Sequence, residues 1–207
     1  MLVHIGKCGG STLRQELQNR GKDIRIAHIR QPPLGPQFRY YITLRSPLRR
    51  ALSAFNWRRK LVLEEASQPD RFPGEAQILA HYGSLDALAR ALYFEDGTDN
   101  ALAQGNFRSI HHLGEGIAFY LEPLLAAVQP DQIAGVLMQE TLDADLQRLF
   151  GIQSSLRLND NSQAAAGRPG LSAQGEANLR RYLAPDYACI RTLGAWRLIP
   201  PQVLQQL

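Results

Sequence analysis

Lys7 is the first residue of this chain placed to do chemistry. It stands in Leu2-Val3-His4-Ile5-Gly6-Lys7-Cys8-Gly9-Gly10-Ser11-Thr12-Leu13, where a short apolar run feeds a Gly-rich turn and then a Ser-Thr pair. Glycines let backbone N–H groups approach an anion closely, a helix N-terminus adds the positive end of its dipole, and a lysine adds a point charge. The chemistry expected of Lys7, Cys8, Gly9, Gly10, Ser11 and Thr12 is therefore the cradling of a phosphate-like anion. A nucleoside-triphosphatase loop, G-x-x-x-x-G-K-[ST], places its lysine after the glycines. Here the lysine comes first.

A second segment answers the first. Tyr40-Tyr41-Ile42-Thr43-Leu44 predicts a buried strand, and Arg45-Ser46-Pro47-Leu48-Arg49-Arg50-Ala51-Leu52-Ser53-Ala54-Phe55 predicts a strand-end arginine followed by a helix. Ser46 is a natural N-cap and Pro47 occupies the first helical position, where proline is best tolerated. Ser53 lies close to two turns beyond Ser46, on nearly the same face and about 10 Å further along the axis. Arg45 and Ser53 are thus expected to border one groove beside the carboxyl edge of a sheet.

The two motifs, K-x-G-G-[ST]-[ST] after a first strand and R-x-P-x-x-R-x-x-S-x-F after a third, resemble those of sulfotransferases that use 3′-phosphoadenosine 5′-phosphosulfate (PAPS). The resemblance is closest to the branch holding carbohydrate 2-O-sulfotransferases and bacterial relatives, and it covers about the first quarter of the chain. It implies that Lys7, Gly9, Gly10, Ser11 and Thr12 hold the 5′-phosphosulfate, with Lys7 stabilising charge on the departing phosphate. It implies that Arg45 and Ser53 hold the 3′-phosphate. Cys8 stands where the family commonly has threonine, Gly6 where it has proline and Ser46 where it has aspartate. The fold implied is a three-layer, P-loop nucleotide-kinase-like α/β domain with a mainly parallel sheet of 4–5 strands.

Transfer of a sulfuryl group to a hydroxyl needs a group near neutral pKa to take the acceptor proton. His28, at the end of the predicted second strand in Ile26-Ala27-His28-Ile29-Arg30, is the first candidate, and relatives draw their base from the segment after this strand. Glu75 and the pair His111-His112 are the others. Adjacent residues on a helix do not share a face, so that pair is not expected to hold a metal, although His111 could point into the cleft. Arg157, Asn159, Asn161 and Ser162 lie in a late polar loop, where relatives close over the adenosine. No metal is expected to be required, since lysine and backbone amides suffice for a group less charged than a phosphoryl.

The elements that must position these residues follow from the pattern. Strands are predicted over 2–5, 24–28 and 40–44, with a helix over 10–20 and a Pro-rich connection from Gln31 to Gln37. A long helix is predicted over 47–66, with Leu48, Leu52 and Phe55 on its apolar side and Arg49, Arg50, Arg58, Arg59 and Lys60 forming a solvated face. Helical segments follow at Ala76–Tyr82, Leu85–Tyr93 and Ile117–Val128, broken by Gly97, Gly105 and Gly114. A fourth strand is predicted over Ile133–Gln139 and helices over Leu142–Phe150 and Leu171–Leu193, with a Gly-rich loop from Asn159 to Gly170. Phe55, Trp57, Phe119 and Tyr120 are expected in the core.

With 207 residues, 44% hydrophobic and 20% charged, the chain is expected to form one globular domain: a cofactor-binding core over 1–60, a helical acceptor-side region over 66–130, and the last strand and helices over 131–207. A net charge of +4 suits an anionic ligand and is too small to imply nucleic acid. Cys8 and Cys189, the only cysteines, suggest neither a disulfide nor a metal set. With a strand beginning at residue 2 and no apolar run approaching 18 residues, no signal peptide or membrane span is expected, and the location expected is cytoplasmic. The function expected is PAPS-dependent sulfation of a small-molecule or glycan acceptor. The alternatives are a P-loop nucleotide phosphotransferase or kinase, and a non-catalytic nucleotide- or glycan-binding module.

Overall fold

A computed structural model describes residues 1–153 and 170–207, so Arg157, Asn159, Asn161 and Ser162 lie outside the described residues. In chain order the elements are β1 (Leu2–His4), α1 (Gly10–Asn19), β2 (Ile26–Ala27), β3 (Tyr40–Leu44), α2 (Pro47–Arg59), α3 (Glu75–Tyr82), α4 (Leu85–Ala91), α5 (Ala101–Arg108), α6 (Ile117–Ala127), β4 (Ile133–Met138), α7 (Leu142–Phe150), α8 (Ala173–Tyr182), α9 (Ala184–Ala195) and α10 (Pro201–Leu204). They divide into two compact units: Met1–Ser46 with Gly116–Asp160 and Pro185–Leu207, and Pro47–Glu115 with Asn161–Ala184.

The first unit is an α/β layer structure. Its four strands run in the order β2-β1-β3-β4, and every pairing is parallel. Parallel strands are buried on both faces, and the sequence supplies apolar residues for each. Val3, Ile42, Leu44, Val136 and Met138 pack on one face with Ile117, Tyr120, Leu121 and Leu124 of α6 and with Cys189, Ile190 and Leu193 of α9. Leu2 and Leu137 pack on the other face with Leu13 and Leu17 of α1 and with Leu142 and Leu146 of α7. The period of 2 along each strand thus meets helices above and below, giving three layers. β2 is shorter than expected, two residues at the sheet edge between exposed Arg25 and half-buried His28; a short edge strand limits unwanted pairing.

From β1 the chain crosses to β2 on one side, then returns to β3 on the other. The strand order therefore reverses between β1 and β3. In open parallel sheets a ligand cleft forms at the carboxyl ends beside such a reversal. Here the two loops flanking it are those that carry Lys7 and Arg45.

The second unit, whose described elements are helical apart from a Tyr93–Asp99 bridge, corrects several expectations. The buried residues of α2 are Pro47, Arg50, Ala51, Ala54, Phe55 and Arg58, whereas Leu48 and Leu52 are only partly buried. Arg50 and Arg58 are 1% and 2% exposed, so they belong to the packed side and not to a solvated one. After Arg59 the helix widens into a π turn over Lys60–Glu64, with Glu65 N–H donating to the Lys60 carbonyl. Gly105 does not break the chain: it lies inside α5, which starts at Asn100, whose side chain accepts from the Ala103 N–H. One segment predicted as a single helix is two, α8 and α9, because Pro185 lacks the N–H that would continue α8. In the first unit Phe119 is half exposed to solvent at 37%, contrary to its expected place in the core, while Tyr120 is fully buried. Among the described residues no helix is long and apolar enough to cross a membrane.

Candidate anion-binding site at the carboxyl edge of the sheet

The loop from β1 to α1 is shaped residue by residue. Cys8 N–H donates back to the Ile5 carbonyl at 3.3 Å, closing a tight turn. Lys7 and Gly9 take positive φ, 70° and 79°. For Gly9 this conformation carries little penalty; for Lys7 it is uncommon, and such strain concentrates at functional loops. A Cβ on Gly9 would also meet Gln139 Oε1 at 2.2 Å, so the residues after β4 pack directly on the turn. The Cys8 side chain is buried in the core with Ile5 and Leu44. Cys8 therefore shapes the loop from within and offers neither its thiol nor its N–H to an anion, which corrects its expected place among the ligand contacts.

Gly9 is the N-cap of α1, and no side chain caps that helix. The first bond into the helix is from Leu13 N–H to the Gly9 carbonyl at 3.3 Å, which leaves the N–H groups of Gly10, Ser11 and Thr12 ahead of it in the first turn. The first turn also lacks an acidic residue, unlike those of α3, α4 and α7. A carboxylate there would compete with a bound anion for the positive end of the dipole. Across the strand reversal, Arg45 brings its guanidinium Nη1 to 3.5 Å from the Lys7 carbonyl, the outer limit of a hydrogen bond. Lys7, the glycines, Ser11 and Arg45 are thus brought together in the first unit. Ser53 lies on α2, in the second unit.

His28 directly follows β2, at the same edge. Its Nδ1 lies 2.8 Å from the His4 carbonyl oxygen, and its ring stacks on that of His4 with 4.2 Å between centroids and 20° between planes. A carbonyl only accepts, so Nδ1 carries the proton of the neutral ring and Nε2 is its basic nitrogen. The next residue, Ile29, has φ 57°, rare for a β-branched side chain, and donates its N–H to the Tyr120 hydroxyl at 3.0 Å. His4 is 8% exposed. Burial first, then the neighbouring His28 and Arg14, push its pKa down to about 3.

Glu75 has a different task. Fully buried, it accepts from Arg58 Nε and Nη2, both at 2.8 Å, from Arg71 N–H at 2.7 Å and from His111 N–H at 2.9 Å. Burial alone would raise its pKa; those donors together outweigh it and hold the carboxyl below its usual range. A carboxylate so fully engaged is a structural anion and a poor proton acceptor. The sequence reading of Glu75 as a possible base is corrected accordingly.

His111 and His112 lie in a turn after α5, not on a helix, and His112 has φ 67°. The premise that they face apart is overturned: their rings stack at 3.9 Å and 25°. His111 Nδ1 is 3.3 Å from Glu115 Oε2, which also accepts the His112 N–H at 2.8 Å. Among the described residues His111, His112 and Glu115 are the one group of three or more potential metal ligands whose ligand atoms all lie within 4.8 Å of one another. The Arg50 guanidinium donates to the carbonyls of both His112 and Glu115. Stacked rings do not aim their lone pairs at one point, and Arg50 places a cation against the turn. The arrangement is that of a hydrogen-bonded buried turn, and His111 is occupied within it.

Sequence reasoning missed Glu140, two residues beyond the last residue of β4, at the sheet's carboxyl edge. Its Oε1 accepts the Ser46 N–H at 2.9 Å, while Oε2 is buried with no hydrogen-bond partner among the described residues. An acidic residue closing an apolar strand was the available signal. Compared with protein-family models, curated proteins and solved structures, the chain gives no match.

Proposed function

We propose that this protein transfers a sulfuryl group from PAPS to an acceptor hydroxyl, on a carbohydrate. The observation that carries the reading is the left-handed Lys7 placed ahead of the uncapped N-terminus of α1, with the Arg45 guanidinium at its carbonyl. These residues suit a dianionic phosphate held by fixed donors and point charges. PAPS, when bound, supplies the sulfuryl group, which passes to the acceptor oxygen as its bond to the 5′-phosphate oxygen breaks. Lys7 and the N–H groups of Gly10, Ser11 and Thr12 stabilise the charge that gathers on that leaving phosphate. His28 takes the acceptor hydroxyl proton at Nε2 while Nδ1 stays bonded to the His4 carbonyl. The role of Ser53 toward the 3′-phosphate rests on the motif resemblance alone.

Glu140 favours a second reading, a nucleotide phosphotransferase, because such an enzyme places an acidic residue at a strand end to hold Mg²⁺. The lysine ahead of the glycines speaks against it. Titration calorimetry with 3′-phosphoadenosine 5′-phosphate (PAP), ATP and ATP with Mg²⁺ separates the two. PAP is expected to bind without divalent metal and ATP·Mg²⁺ weakly. Lys7→Ala or Arg45→Ala should weaken PAP by roughly 10- to 150-fold, the loss of one charge-assisted hydrogen bond. Unchanged PAP affinity in both variants, or tight binding of ATP only with Mg²⁺, overturns the sulfotransferase reading. A parent that binds PAP yet turns over with no acceptor supports the binding module.

A further inference from the structure

We propose that His4 is the positioning residue for His28, holding the base by both its backbone and its ring; the proposal rests on the sulfuryl-transfer reading above. One residue makes two different contacts. The His4 carbonyl accepts from His28 Nδ1 at 2.8 Å, and the His4 imidazole lies face to face with the His28 ring at 4.2 Å. The hydrogen bond favours the Nδ1–H tautomer only while it is made, and by itself it leaves the ring free to pivot about the Nδ1–O line and swing off the carbonyl. The stacked ring removes that freedom.

His4 is itself held from behind. It ends β1, paired with Thr43 of β3, on the strand face that also carries Leu2 toward α1. There its ring meets the first turn of α1 at Gly10, where a Cβ would stand 2.0 Å from Cδ2 and 2.5 Å from Nε2. A flat five-membered ring fits this gap, and the neighbouring helix N-terminus disfavours a positive charge on it. The groups that act on it are His28 and Arg14, both of which also oppose its protonation. His4 thus stays neutral while His28 gains its proton during turnover. A second imidazolium stacked on the first would work against that gain.

The test uses the intact protein labelled with ¹⁵N-histidine. In the parent, the His28 nitrogens should report the Nδ1–H tautomer, the less common one for a neutral imidazole in water. His4→Ala keeps the backbone carbonyl but removes the ring that holds the His28 imidazole over it, so the ring should swing off the carbonyl part of the time and a share of the Nε2–H tautomer should appear. Its kcat should fall roughly 10- to 100-fold while PAP affinity changes by less than about twofold, the pattern of a misplaced base. His4→Gln, which keeps bulk and a flat polar surface, provides a second variant should His4→Ala fold poorly, and should lie between the two. The proposal is overturned when His28 keeps a pure Nδ1–H signature in both variants, or when kcat falls only with the folded fraction. Failure of PAP to bind the parent overturns the sulfotransferase reading instead, and the tautomer spectra still decide the His4–His28 arrangement.

Discussion

Gly10 and His4 are fitted to each other: a Cβ on the glycine would stand 2.0 Å from Cδ2 of the imidazole. Gly10 does not have the positive φ of Gly9, so the requirement is for space and not for backbone freedom. The end of β1 and the start of α1 therefore touch through a missing side chain, and the same ring goes on to meet His28.

Gly10→Ala is expected to destabilise the protein even though alanine is the better helix former. Overpacking a closed site costs about 1–3 kcal/mol, more than the propensity gain of about 1 kcal/mol at most. Thermal unfolding reads this as a lowered midpoint. In a His4→Ala background the penalty should vanish, and an equal loss in both backgrounds would place the His4 ring away from Gly10.

Stability should fall between neutral pH and pH 5 through His4. Its pKa drops from an ordinary 6.5 to about 3 on folding, so in that window the unfolded chain binds the extra proton. The stabilisation is whole above 6.5 and is lost as pH falls toward 3, with about 2 kcal/mol gone by pH 5. Denaturant titrations at pH 7 and pH 5 should show this loss in the parent and a smaller one in His4→Gln. Equal pH dependence in the two proteins would assign the loss to other groups. Glu75 and Glu115, held below their usual range, add their own losses only at lower pH.

Glu75→Gln should damage stability and spare chemistry. The Arg58–Glu75 pair, Nε to Oε1 at 2.8 Å, is 2% and 0% exposed, and removing one charge leaves the other buried and uncompensated. Breaking such a pair costs roughly 3–5 kcal/mol. Turnover per folded molecule should stay near the parent's. A fall of two orders of magnitude in that quantity, with folding intact, would restore Glu75 as a base.

His28→Ala should lower kcat by about 10²–10⁴ with PAP affinity retained, and the acid limb of the pH–rate profile should flatten with it. A loss of only a few-fold would remove His28 from proton transfer. Paired with Lys7→Ala, which is expected to weaken PAP itself, this variant separates binding from chemistry.

Local signals carried much of the first unit. The apolar runs at Leu2, Tyr40 and Ile133, the glycines after Lys7 and the Ser46-Pro47 start led to a parallel α/β sheet with a glycine turn and a strand-end arginine at its carboxyl edge, because strand, turn and cap chemistry are set by near neighbours. Periodicity then misplaced α2. It counts every arginine as outward-facing, yet Arg58 is buried by a carboxylate 17 residues on and Arg50 by carbonyls 62 and 65 residues on. Whether a guanidinium can leave water depends on acceptors that only folding delivers. The turn that stacks His111 on His112 was hidden for a related reason, since a left-handed His112 is a backbone choice favoured by Glu115 and Arg50 together. His28 was legible as a histidine after a strand. Its partner was not: His4 reaches it through the parallel pairing of β1 with β2, which sets Val3 beside Ala27 and brings two rings 24 residues apart into one stack. The sequence by itself determined which residues could bind an anion or move a proton; tertiary structure alone decided which imidazole is held, and by what, because sheet register is a property of paired strands.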